Sequence, residues 1–525
     1  MRPHALLLAI ATVIVGGSCR PAVPDEAPPP EPVAPRPASA EPGPIAYRLS
    51  PVLDGDALVA LRVELRFVAD DSGTTRVRLP QEWASERELW RYLRDVEVEG
   101  ARAVTEDGPA LRVIESEPGA SLRMSYLVVS AYDREPRTDD GQPFAPIVRP
   151  TWFHAFGESL FASLDEQDER PATFEWDGGS TGLRLASDLQ HLEAVGGTVS
   201  DVRESIVLGG RELAVLEEVV DGAPLRMAIL GEYGFSHQAF FDMARTIVRA
   251  ERELWGEPGG PFTITVAPLT PLEHQRSLGG TGRSDAFALT ISQDTPIEPL
   301  RHLLAHEYFH TWNPRLLGGQ PRGEEEEMRG KWFAEGFTEL YTWRLLLRSG
   351  LYRLEDFVDD WNAALLDYAS SPVRNEPNSR IVVDYWNDPD VGQLPYLRGP
   401  LLGALWERSL REATDGARGL DDVLLAMRAI HREADEPSRL PDAAGLFVTT
   451  YQELGGPALG PQLERFVERG ETIILPQDVL GGCLRLETDT EGAVPVQRLR
   501  IVGASTPEER QACARVVSGR GTSAR

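Results

Sequence analysis

A helix that buries histidine and glutamate side chains must compensate them, and one stretch of this chain demands such a helix. Residues 299–312 read Pro299-Leu300-Arg301-His302-Leu303-Leu304-Ala305-His306-Glu307-Tyr308-Phe309-His310-Thr311-Trp312. Leu300, Leu303, Leu304 and Phe309 recur at helical spacing, which predicts a helix over Leu300–Trp312. His306 and His310 then share one face, with Glu307 a step around it, the HExxH pattern. Two imidazoles so placed reach a single zinc ion, and a catalytic zinc takes three protein ligands and keeps one position for water. Glu307 is positioned to take a proton from that water.

The third ligand is predicted on a second helix, Lys331–Ser349, which opens Lys331-Trp332-Phe333-Ala334-Glu335-Gly336-Phe337-Thr338-Glu339-Leu340-Tyr341. Glu335 stands among aromatic and apolar neighbours, where an unpaired carboxylate is costly and a dication compensates it. Glu339 falls one turn later on the same face. It reads either as the acceptor for the second ring N–H of a ligating histidine or as a solvated surface glutamate. His302, one turn before His306, reads as a packing or surface histidine, and Glu324–Glu327 as a solvated loop.

The hydrophobic period divides the chain. Leu61, Val63, Leu65 and Phe67 alternate with Arg62, Glu64 and Arg66, and short runs of the same kind continue to Leu225–Ile229. This predicts an N-terminal β-sandwich-like domain over residues 46–232. From Ser236 the spacing turns helical, with strands at Phe262–Val266 and Ala286–Ser292 and helices at Leu354–Tyr368, Gly399–Ala413 and Leu420–Glu433. Residues 233–470 therefore read as one mixed, mainly helical catalytic domain, giving an α+β multidomain chain. A short C-terminal segment, 471–525, follows.

The N-terminus points to export. Residues 1–19 carry Arg2, the mainly apolar run Ala5–Val15, then Gly16, Gly17, Ser18 and Cys19, the layout of a secretory signal peptide. The ending is similar to a bacterial lipobox, in which the cysteine becomes the lipidated first residue, although Gly16 stands where leucine is usual. Ordinary signal cleavage is the alternative. Residues 20–45 are proline-rich and read as a linker. The expected location is the bacterial cell envelope, with the membrane reached through a lipid on Cys19. Cys483 and Cys513 remain as a possible disulfide in an oxidising compartment, or as two free thiols. With 53 Lys and Arg against 82 Asp and Glu, the net charge of −29 excludes a general polyanion binder, so no nucleic-acid partner is expected. One residue among the bases, Lys331, is a lysine, which reads as an arginine-rich coding bias.

His306–His310, the Trp312-Asn313 pair and Trp332-Phe333-Ala334-Glu335-Gly336-Phe337-Thr338 together resemble the glycyl aminopeptidase family of gluzincin metallopeptidases. The resemblance implies a thermolysin-like catalytic domain with one zinc held by His306, His310 and Glu335. It implies Glu307 as the general base that later protonates the leaving amine, with a peptide or protein as substrate. Pro395-Tyr396-Leu397-Arg398-Gly399 resembles an element whose tyrosine donates to the oxyanion, so Tyr396 inherits that role; on its own it also reads as an amphipathic core residue. Leu272-Glu273-His274 matches half of a Gly-Gly-Leu-Glu-His segment that lines the substrate cleft, so Glu273 inherits capture of a free α-amine; on its own it also reads as a solvated loop glutamate. Thr270-Pro271 stands in place of the glycine pair, which implies a differently shaped cleft wall. The alternatives are an endopeptidase with no free-amine requirement and a catalytically silent surface scaffold. Many members carry a PDZ module, and the segment after 470 is too short for a complete one.

Overall fold

A computed structural model describes residues 43–519 apart from 85, 141–142, 273–277, 284 and 490–494, with backbone alone at 193–195 and 278. The signal segment 1–19, Cys19, most of the linker 20–45 and Glu273 lie outside the described residues. The protein has an N-terminal β-rich part followed by a helical part, an α+β multidomain architecture.

The hairpin Ile45–Asp54 and Ala57–Val68 begins a six-stranded sheet, extended by Ser121–Val128 and Leu93–Glu99 on one side and Pro171–Trp176 and Gly197–Thr198 on the other. The alternation legible in the sequence sends Leu61, Val63, Leu65 and Phe67 into the core. They meet Val77 and Ile114 from a four-stranded sheet built on Thr74–Arg78 and Leu111–Glu115. The Tyr47 and Tyr126 hydroxyls, both buried, donate to the carbonyls of Ala162 and Leu160.

A third sheet, centred on Trp152–Phe156 and Ile206–Gly210, joins the two parts. Its Trp152 and Leu208 pack on Ala228, Leu230 and Ala267, while Phe156 and Ile206 pack on Ala286 and Ala288. Those latter residues belong to a five-stranded sheet in the order Ala214–Val220, Ala223–Ile229, Phe262–Leu269, Ala286–Ser292, Leu278–Gly282. Its three inner strands pair in parallel, and Leu278–Gly282 is an antiparallel edge. The two strands between 214 and 229, which the sequence reading puts before position 232, pair in this five-stranded sheet beside Phe262–Leu269. Short alternating strands look alike in either sheet, so their spacing could not assign them.

The other face of this sheet is covered by helices. His237–Trp255 starts at Ser236, whose hydroxyl accepts from Ala239 N–H, and ends at Gly256 with φ of 67°. Then follow Glu298–Phe309, Lys331–Ser349, Leu354–Ser370, Pro389–Ala413, Leu420–Glu433 and Ala443–Glu453. Two expectations need correction. Pro389–Ala413 begins ten residues before the expected Gly399, because Asp388 caps it and Pro389 occupies its first position; Pro395 and Pro400 lie inside it. Glu324–Arg329 is a short helix rather than a loop.

At the C-terminal end, Leu484–Asp489 pairs with Val496–Ile501, and helix Pro507–Val517 follows a capping box of Thr506 and Glu509. Cys483 and Cys513 are joined as a disulfide with their Cα atoms 5.7 Å apart. Among the described residues no helix is long and apolar enough to cross a membrane.

Candidate metal centre

Glu298–Phe309, the motif helix, buries Leu300, Leu304, Ala305, Tyr308 and Phe309. It stops at Phe309, short of the expected Trp312, yet His310 keeps helical angles of φ −63° and ψ −12°. The four-residue spacing of His306 and His310 therefore survives the helix end. Lys331–Ser349, the glutamate helix, packs beside it with Glu335 and Thr338 buried. Asn313, fully buried, ties the two together. Its side-chain amide donates to the carbonyls of Phe333 and Ala334 at 3.3 and 3.1 Å and to the Thr338 hydroxyl at 3.0 Å.

The structure brings His306, His310 and Glu335 together as a group able to hold a metal ion. Nε2 of His306 and Nε2 of His310 are 3.3 Å apart, and Oε2 of Glu335 lies 3.4 and 3.3 Å from them. Tetrahedral zinc with ligand bonds of about 2.0–2.1 Å separates its ligands by about 3.4 Å. The three donor atoms thus form a triangle of the size one face of that tetrahedron requires. Their electrostatics make the same demand for positive charge. Burial works against a cation on His306, yet the Glu335 and Glu339 carboxylates outweigh it and lift the imidazole to about 10. Burial likewise opposes ionised Glu335, but His310, His306 and Lys331 hold its carboxyl well below the ordinary range.

The other ring nitrogens are fixed from behind. His310 Nδ1 is 2.8 Å from the Asn313 carbonyl, which can only accept, so Nδ1 carries the proton and Nε2 offers its lone pair. His306 Nδ1 is 3.1 Å from Oε2 of Glu339, whose Oε1 is 2.8 Å from His302 Nε2. Glu339 is therefore not a solvated surface residue; it lies behind His306, and His302 supports Glu339 rather than joining the three donors.

Glu307 is half-buried, and burial pushes its carboxyl up, partly offset by the two histidines and by the Gly282 N–H. Gly282 ends the edge strand Leu278–Gly282, and a Cβ built there would stand 3.0 Å from Oε2 of Glu307. Thr270-Pro271, which stands where the family's glycine pair is usual, follows the strand Phe262–Leu269. Thr270 exchanges backbone hydrogen bonds with Pro136 and Thr138 of the N-terminal part. The strand beside the motif helix carries its own glycine pair, Gly279-Gly280.

Tyr396 sits on Pro389–Ala413, the tyrosine helix. Its ring lies nearly parallel to His306, centroids 5.7 Å apart, and its hydroxyl is 3.4 Å from that of Tyr385. Burial, reinforced by Glu335, raises its pKa far enough to keep it a neutral O–H donor. Arg398 does not reach the cleft: it is buried and donates to the carbonyls of Arg374 and Glu376. Glu307 borders two cavities of about 450 Å³ each. One runs toward His310, Arg283 and Lys331, the other toward His302, His306 and Tyr396.

Residues 299–387 match the family model described as M61 glycyl aminopeptidase. No curated protein matches the chain. Among solved structures, an aminopeptidase N family protein from Idiomarina loihiensis is similar with a TM-score of 0.67 and 14% identity, over 86% of this chain and 81% of that one. An M1 zinc metallopeptidase from Deinococcus radiodurans gives a TM-score of 0.48 at 15% identity, over 83% of this chain and 95% of that one. At 14% identity the likeness to the Idiomarina loihiensis protein is one of fold: a β-rich domain leading into a helical one.

Sequence reasoning did not assign Asn313, Lys331, Gly282 or Tyr385. Asn313 and Lys331 adjoin the two motifs, but their contacts with the opposite helix and with a neighbouring carboxylate have no periodic signature. Gly282 and Tyr385 come from segments that only folding brings alongside.

Proposed function

We propose that this chain is an exported zinc metallopeptidase, aminopeptidase-like in its catalytic domain, which hydrolyses peptide bonds. The observation that carries the reading is the triangle of donor atoms on His306, His310 and Glu335 with Glu307 beside it. One zinc per chain, held by those three residues, would polarise the scissile carbonyl and ease deprotonation of water. Glu307 takes the proton from the attacking water and hands it to the departing amine nitrogen. The Tyr396 hydroxyl donates to the oxyanion as charge develops, a kind of preorganised contact that contributes about 3 kcal/mol elsewhere. Glu339 and the Asn313 carbonyl keep the imidazoles in the tautomer that presents Nε2.

Glu273 is proposed to receive the free α-amine of the substrate, and Cys19 to carry a lipid that holds the exported protein at the envelope membrane. The disulfide between Cys483 and Cys513 supports an oxidising compartment. A second reading, cleavage inside a peptide, is favoured by the room on both cavities bordered by Glu307.

The test is a peptide-library digest with zinc-loaded protein and with Glu307→Gln. The expected result is cleavage by the native chain, and loss of turnover by orders of magnitude in a variant that still carries one zinc. Normal turnover by Glu307→Gln would end the mechanism. Equal cleavage of free and N-acetylated peptides would favour the endopeptidase reading.

A further inference from the structure

The two oxygens of Glu335 have different neighbours. Oε2 faces the two histidines at 3.4 and 3.3 Å, whereas Oε1 is 3.2 Å from the ammonium of Lys331, one turn earlier on the same helix. The Lys331 side chain is only 12% exposed and is confined from other directions. Glu327 Oε1 lies 3.3 Å from its nitrogen, and the nitrogen stands 5.3 Å from the centre of the Tyr385 ring. Tyr385 is in turn the hydroxyl partner of Tyr396. An ammonium withdrawn from water to this degree is expensive unless paired, and here two carboxylates and a ring face pair it. Of the 53 lysine and arginine residues in the chain, the single lysine stands at this spot.

Resting on the zinc-peptidase reading above, we infer that Lys331 is a positioning residue: it occupies one oxygen of Glu335, so that the carboxylate offers a cation the other oxygen alone. A free carboxylate can turn both oxygens to a dication. Taking the second oxygen would consume the coordination position that a hydrolytic site keeps open. The ammonium prevents this by hydrogen bonding and by drawing negative charge away from the ligand, so the cation stays more electrophilic. A methionine of similar length fills the space without doing either. An arginine keeps the charge and the donors.

Cobalt(II) in place of zinc in the full-length protein reads this directly, because four-coordinate cobalt absorbs visible light far more strongly than five-coordinate cobalt. The native protein should give the intense spectrum and Lys331→Met the weak one, with Lys331→Arg restoring the first. Chelator competition should show zinc held about tenfold more tightly by Lys331→Met, since a fixed positive charge has left the neighbourhood of a dication. An intense, unchanged spectrum in Lys331→Met would overturn the inference while leaving the peptidase reading intact. Failure of Lys331→Met to retain cobalt would overturn it too, showing the lysine to be needed for binding rather than for coordination number. Native protein that takes up neither metal would defeat both.

Discussion

Gly336 and Gly399 meet backbone to backbone where the glutamate helix crosses the tyrosine helix. A Cβ on Gly336 would stand 2.4 Å from the Gly399 Cα, and one on Gly399 would stand 2.3 Å from the Gly336 Cα. Each is the neighbour, in chain or by one turn, of a site residue: Glu335 precedes Gly336, and Tyr396 lies one turn before Gly399. The close crossing is what sets the Tyr396 ring against His306. Gly336→Ala gains helix propensity but must push the two helices apart. The expected net cost is about 3 kcal/mol in urea unfolding, with kcat falling more than KM changes. An alanine variant of native stability would show that the crossing yields freely.

Glu339 should matter for metal retention although it is not among the three donors. Glu339→Ala removes the partner of His306 Nδ1 and leaves His302 without its carboxylate. Zinc affinity, measured by chelator competition, should fall by about ten- to a hundredfold. Unchanged affinity would mean the His306 ring is held by packing alone.

Arg283 follows Gly282 on the edge strand and anchors it to the N-terminal part. Its guanidinium pairs with Glu158, donates to the Glu204 carbonyl at 2.7 Å and lies 4.1 Å above the Trp83 ring. The two paired side chains are 9% and 12% exposed, so removing one partner strands the other. Arg283→Met should cost about 3 kcal/mol, and the double variant with Glu158→Met should recover much of it. Additive losses in the double-mutant cycle would show that the pair is not coupled.

His154 predicts an acid-sensitive N-terminal part. It is fully buried, both ring nitrogens lack a hydrogen-bond partner among the described residues, and burial alone lowers its pKa to about 4. Unfolded, the ring takes a proton at about 6.5, so at higher pH neither state is charged and nothing is lost. As the pH falls from 6.5 toward 4 the unfolded chain binds the proton first, and stability drops by about 3 kcal/mol before levelling off. Titrating unfolding free energy for the native chain against His154→Leu isolates this residue from other groups. A difference that stays constant between pH 7 and 4 would contradict the assignment.

What the sequence determined by itself was local. Four-residue spacing is a property of any α-helix, so His306 and His310 had to share a face once Leu300, Leu304 and Phe309 specified the helix. The glutamate helix runs over Lys331–Ser349 as its apolar density and the closing Gly350 require. Strand alternation around Leu61–Phe67 was legible because a half-buried strand repeats every two residues. Tertiary structure alone decided which sheet received the strands between 214 and 229, and which strand lies beside Glu307. It also decided that Lys331 meets one oxygen of Glu335 and that two glycines bring Tyr396 over His306. Those relationships join residues far apart in sequence or choose between equivalent atoms of one group. They are set by packing and charge compensation in the folded core, which no periodicity along the chain records.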